Sequence, residues 1–180
     1  MRWFAFYVFL ASPICLAFLV AAPTVAQNAQ FTYYAVNTGG VNRPDLEAHL
    51  GCANAKEVAT WLGAKMVRVR ELVVILPLVK NIAHTEPLRV SPSTVRLKLP
   101  SGEILNPLSP EEVSAWARDV GISKVPQPDV LKGIEVSKGE SSGFAAVFRL
   151  PKGRDAKRVE AEMTLELGSE GTLQVKSTLF

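Results

Sequence analysis

Gly139-Glu140-Ser141-Ser142-Gly143 is the nearest this chain comes to a catalytic signature. The pattern G-x-S-x-G marks the nucleophile elbow of α/β-hydrolases, where a strand-to-helix turn lifts the serine hydroxyl clear of a sheet and a histidine later in the chain takes its proton. Neither condition is met. Phe144, Ala146, Phe148 and Leu150 alternate as a strand does directly after the motif, and both histidines, His49 and His84, precede the serine. A Gly/Ser turn is the expected structure, and no catalytic residue is assigned.

His49 and Cys52 are the second candidate. Pro44 to Leu50 carries helix-forming residues, and on a helix these two side chains would share a face. Imidazole and thiolate both bind borderline or soft metals. Two ligands seldom make a site, however, and Asp45 and Glu47 read as ordinary helix-surface carboxylates. A lone cysteine in a small domain is most often an apolar filler. Packing is therefore the expectation, with a periplasmic metal- or redox-handling role for His49 and Cys52 as the alternative. His84, beside Pro87, reads as a solvated connector.

The remaining charged groups point away from catalysis and from nucleic acid. Glu111 and Glu112 are adjacent, so they do not face one another as an acid and a base would. Lys152, Arg154, Lys157 and Arg158 form a basic cluster at what reads as a hairpin tip, diluted by Asp155, Glu160 and Glu162. A net charge of +3 over 180 residues is too mild for a polyanion-binding protein. Phosphate-cradling glycine patterns are absent from the sequence, so no cofactor is implied.

The elements that would position these residues are mostly strands. Val67 and Val69 alternate with Arg68 and Arg70, Leu72 to Val79 is almost continuously apolar, and Val95, Leu97 and Leu99 alternate with polar neighbours. Leu72 to Val79 reads as a strand buried on both faces, with Pro77 placing its end at a sheet edge or a bulge. Pro100-Ser101-Gly102 and Pro151-Lys152-Gly153 are expected turns, and Gly133 to Val136 an expected short strand within a long loop. Val159 to Leu167 and Leu173 to Leu179 form a final hairpin around Gly168 to Gly171. Ser109-Pro110-Glu111-Glu112 is a capping box, so a helix runs to Gly121 with Val113, Trp116, Ala117 and Val120 on one face, across the mouth or edge of the fold. Phe31 to Val36 is an expected strand, Gly39-Gly40 a turn, and Ala55 to Leu62 a helix. Many short antiparallel strands with one or two inserted helices predict a mainly β fold, an antiparallel β-sandwich.

The first 26 residues have a different character. Arg2, the uncharged apolar run from Trp3, and the small residues of Ala22-Pro23-Thr24-Val25-Ala26 have the three parts of a secretory signal peptide, with cleavage expected between Ala26 and Gln27. An uncleaved anchor is the rival, weakened by Pro13, Pro23 and the single flanking Arg. Ser12-Pro13-Ile14 is a poor context for lipidation of Cys15. Export leaves about 150 residues, one domain large enough to fold without disulfide or metal. Cys52 is then the remaining thiol, so no internal disulfide is expected. An outer-membrane barrel is excluded by Thr172, Gln174, Lys176 and Thr178, which are polar in phase with Phe180.

Asn81, then Glu86-Pro87-Leu88-Arg89-Val90-Ser91-Pro92-Ser93, then Val95-Arg96-Leu97-Lys98-Leu99 and a Gly turn, resembles the immunoglobulin-like domains of exported bacterial proteins of unknown function. The resemblance runs from Leu72 to Phe180. It implies a sandwich and a non-enzymatic envelope role, with no catalytic or metal residues to carry over. The expected organisation is a signal at 1–26, a strand and helical segment at 27–65 packing on the sandwich, and the sandwich itself at 66–180. The expected function is a periplasmic or secreted module binding a protein or cell-envelope component through loops at one end. No nucleic-acid partner and no membrane span in the mature chain are expected.

Overall fold

Strand β3 (Leu72–Asn81) carries apolar side chains on both faces, and the architecture follows from that. The computed structural model describes residues 39–65, 69–122, 128–154 and 158–179. The signal-like residues 1–26 and the strand expected at 31–36 lie outside them, as do residues 66–68. Val73, Ile75 and Val79 of β3 enter the core between two sheets, whereas Leu72, Val74 and Leu76 enter a second core on the opposite side. This alternation is the period-2 geometry of a strand used on both faces.

The first sheet places β1 (Gly39–Asn42) on β2 (Leu46–Cys52), β2 on β3, and then β8 (Ser141–Gly143) and β9 (Ala146–Arg149) in succession along the other side of β3. The second is built on β10 (Val159–Glu166), flanked by β11 (Thr172–Leu179) on one side. On its other side lie β5 (Arg96–Lys98) and β4 (Leu88–Val90), extended by β6 (Ile104–Leu105) and β7 (Ile134–Val136). Every pairing is antiparallel. Leu46, Leu50, Ile75 and Phe148 from the first sheet meet Leu88, Leu97, Met163, Leu165 and Leu179 from the second. The protein is a mainly β sandwich with two helices among the described residues.

Those helices form a third layer. α1 (Ala55–Leu62) and α2 (Pro110–Asp119) lie on the outer face of the first sheet, where Val58, Trp61, Leu62, Val113 and Trp116 cover Leu72, Val74, Leu76, Ala145 and Val147. α2 therefore does not cross the mouth or edge of the sandwich, as its sequence position suggested. A sheet apolar on both faces needs a cover, and the amphipathic helices supply it. Both start at capping boxes, on Asn54 with Glu57 and on Ser109 with Glu112. No helix among the described residues is long and apolar enough to cross a membrane.

Three local expectations are corrected. Pro44 to Leu50 is not helical, because Leu46, Ala48 and Leu50 form a period-2 inward stripe of β2. Gly39 and Gly40 do not turn but pair with Leu50 and His49 as strand β1. A Cβ on Gly39 would lie 2.5 Å from Ser177 Cα, and one on Gly40 would lie 2.3 Å from His49 Nδ1, so close approach and not chain reversal is what demands glycine. Pro77 lies neither at an edge nor at a bulge. It sits in the central strand, where Phe144 N–H donates to its carbonyl at 3.3 Å and the register with β8 and β9 continues unshifted. An antiparallel residue points its N–H and C=O to one side, so the missing donor weakens only the Phe144 side and leaves β2 paired.

Candidate functional site

Two proline-bearing segments stand opposite each other along one flank of the sandwich and enclose a cleft of about 520 Å³. One wall is the connection between β4 and β5, Ser91 to Arg96, which includes a 3-10 turn at Pro92–Thr94. Thr94 Oγ1 donates to the carbonyls of Ser91 at 2.8 Å and Thr164 at 3.0 Å, which pins this wall to β10. The facing wall is Asn106 to Pro110, the chain between β6 and α2. Leu108 N–H donates to Val147 O at 2.7 Å, and the Ser109 cap fixes the helix start, so this wall is tied to β9 and α2. Leu131 contributes at the base. The size falls within the range of small-ligand and peptide sites, and both walls are held by hydrogen bonds before anything binds.

Arg96 is the cation that lines this space. Its Nη1 donates to the carbonyls of Ser93 and Val95. Glu112, the cleft's carboxylate, accepts from Ser109 N–H at 2.7 Å and so serves the helix cap. The sequence signalled each wall separately, as Ser91-Pro92-Ser93 and as Asn106-Pro107-Leu108-Ser109-Pro110. The β5–β6 hairpin around Pro100-Ser101-Gly102 sets the two segments side by side, and the bond from Leu108 to Val147 then ties the second of them to the first sheet.

The candidates read from sequence lie elsewhere. His49 and Cys52 are on a strand and separated by an odd number of residues, so they project to opposite faces of β2. Cys52 packs against the inter-sheet core, and burial, with a smaller effect from Glu57, pushes its thiol up to about 11. A thiol so far from ionisation is a poor nucleophile and a poor metal ligand. Among the described residues no group of three His, Cys, Asp or Glu side chains is placed to hold a metal ion. Ser141 opens β8, opposite Lys80, and strand β9 follows it in place of the helix an elbow requires.

The loops at one end of the sandwich, where binding was expected, are tied to each other. His84 is not a solvated connector, since its side chain is 3% exposed. Its Nδ1 lies 2.9 Å from Glu86 O and must carry the hydrogen, because a carbonyl only accepts, while Nε2 faces Glu170 Oε1 at 3.4 Å. Asn81 Nδ2 donates to the same Glu86 carbonyl and to Val136 O, both at 3.2 Å. Glu86 receives the Ser169 hydroxyl and, at 3.0 Å, the Ser169 N–H, and these bonds hold its carboxyl below the usual carboxylate range. Arg43 clasps Asp45 at 2.9 and 3.0 Å. These polar groups knit the β1–β2, β3–β4 and β10–β11 connections together.

A smaller depression of about 230 Å³ on the outer face of the second sheet is lined by Lys98, Glu160, Glu162 and Lys176. Its charges neutralise each other across strands, Lys98 with Glu160 at 3.3 Å and Lys176 with Glu162 at 3.5 Å.

The arrangement defines a mainly β protein of two antiparallel sheets with a helical cover and a lateral cleft. No protein-family model matches the chain, and no curated protein matches it either. Two solved structures are similar over most of its length. A functionally unknown protein from Listeria monocytogenes EGD-e is 10% identical, with 79% of this chain and 81% of that one covered at a TM-score of 0.40. A DUF4426 family protein from Pseudomonas aeruginosa PAO1 is 14% identical, with 82% and 98% covered at a TM-score of 0.37. Likeness at this level assigns neither a family nor an activity.

Proposed function

We propose that this chain is an exported, immunoglobulin-like sandwich without enzymatic activity, and that it binds a protein or cell-envelope component in the lateral cleft. The observation that carries the reading is the cleft itself, about 520 Å³ between walls anchored to both sheets. Its lining mixes apolar prolines and leucines with serine, asparagine, one arginine and the cap carboxylate of Glu112, an apolar surface with a few polar groups that can orient a ligand. The signal-like pattern of residues 1–26 supports export. The metal or redox alternative loses its basis, since His49 and Cys52 diverge across β2.

Two measurements test the reading. N-terminal sequencing of protein recovered from the producing cell's envelope or medium is expected to begin at Gln27, and recovery of the intact chain from the cytosol contradicts export. Ser93→Trp, which fills the cleft from an exposed position, is expected to abolish retention of envelope components by the immobilised protein. Unchanged retention contradicts the cleft.

A further inference from the structure

We infer that the Nε–Nη2 edge of Arg96 receives a carboxylate, and that the cleft takes an extended peptide bearing it. This deepens the binding role proposed above and rests on it. With Nη1 held by the carbonyls of Ser93 and Val95, Nε and Nη2 make no hydrogen bond or ion pair among the described residues. The carboxylate facing Arg96 in register is Glu162, but Glu162 pairs with Lys176 at 3.5 Å. Neighbouring cations on the same sheet are matched, Lys98 by Glu160 and Arg89 by Glu135 at 2.8 Å. Arg96, which lines the cleft, therefore combines a guanidinium held at Nη1 with an Nε–Nη2 edge that no described residue occupies. Two parallel N–H donors in a rigid fork match the two oxygens of a carboxylate, a geometry that lysine cannot reproduce.

The shape of the cleft selects the rest of the ligand. Pro92, Pro107 and Pro110 offer apolar ring surfaces, which suit apolar side chains flanking the carboxylate. The carboxylate can come from an Asp or Glu side chain or from a free chain terminus, and the two sources are separable by experiment.

The test uses the full folded protein and three matched sets of synthetic decapeptides: proline-flanked peptides with an internal Asp or Glu and an amidated end, the same peptides neutralised to Asn or Gln with a free carboxyl end, and the neutral amidated set. Fluorescence polarisation is expected to show binding by one of the two carboxylate sets and at least tenfold weaker binding by the neutral set. Arg96→Gln is expected to remove that tenfold preference, Arg96→Lys to restore it only in part, and Lys98→Gln to leave it intact. Equal binding by all three sets that Ser93→Trp blocks overturns the carboxylate assignment while the cleft stands. Binding insensitive to both Arg96→Gln and Ser93→Trp, or no binding by any set, overturns the cleft as a peptide site.

Discussion

Trp116 Nε1 donates to Glu71 Oε1 at 2.5 Å, joining the helix that forms one wall of the cleft to the residue that leads into the central strand. Arg149 approaches the other oxygen of the same carboxylate at 3.4 Å, and Leu150 N–H donates to Glu71 O at 2.7 Å. Glu71 is thus where α2, β3 and the end of β9 meet. Trp116→Phe removes one charge-assisted bond but keeps most of the buried ring, so a loss of roughly 1–3 kcal/mol is expected. Trp116→Ala is expected to cost about 3–5 kcal/mol, because it also empties the helix-layer core. Urea unfolding of both variants checks the order.

Cys52 supplies a reactivity prediction. Its thiol is pushed up to about 11 by burial, so the native protein is expected to resist alkylation at pH 8 that the urea-unfolded chain undergoes rapidly. The raised value also carries a sign. The unfolded thiol ionises first as pH rises past its ordinary range of about 8.5, so stability is full below that pH and declines towards pH 11. Cys52→Ala is expected to flatten that alkaline decline in a pH series of thermal melts.

Glu86 contributes to the acid limb, together with Glu111 and Glu135, whose carboxyls are also held below the usual range. Bonds from the Ser169 hydroxyl and N–H, in that order, hold the Glu86 carboxyl below the ordinary range. Its contribution is therefore complete above that range and disappears as pH falls through the lowered value. Glu86→Gln is expected to reduce the pH dependence of stability on the acid side and to speed hydrogen exchange at the Ser169 amide at pH 7. An unchanged exchange rate contradicts this role for Glu86.

Gly39 is predicted to be intolerant of any side chain. Its N–H donates to Ser177 Oγ at 2.7 Å, and an added Cβ meets the Ser177 backbone. Gly39→Ala is expected to destabilise the protein by about 1–3 kcal/mol, as overpacking does. Gly153→Ala, in open space at φ 79°, is strained by its backbone conformation alone and serves as the comparison.

The sequence revealed most of the strands and little of how they meet. Val159 to Leu179 was legible because a half-solvated hairpin writes its register as alternation, and the Ser109 capping box announced α2. β2 is hidden because Glu47, Ala48 and Leu50 are good helix formers, and only pairing with β3 overrides that propensity. The identity of His84 could not reveal its burial, which comes from Asp45, Glu86 and Glu170 converging from three connections. The cleft was half legible, because the β5–β6 hairpin that sets its walls side by side follows from the Pro100-Ser101-Gly102 turn, whereas the bond from Leu108 N–H to Val147 O that ties the second wall to the other sheet leaves no mark in the sequence.

Placing a photo-crosslinking amino acid at Ser93, in the cleft wall, and separately at Ser101, on the β5–β6 hairpin turn, tests the central claim in the living producer. A discrete adduct is expected from position 93, abolished by Arg96→Gln, and none from position 101. An adduct from position 101 with nothing captured at position 93 would contradict the claim.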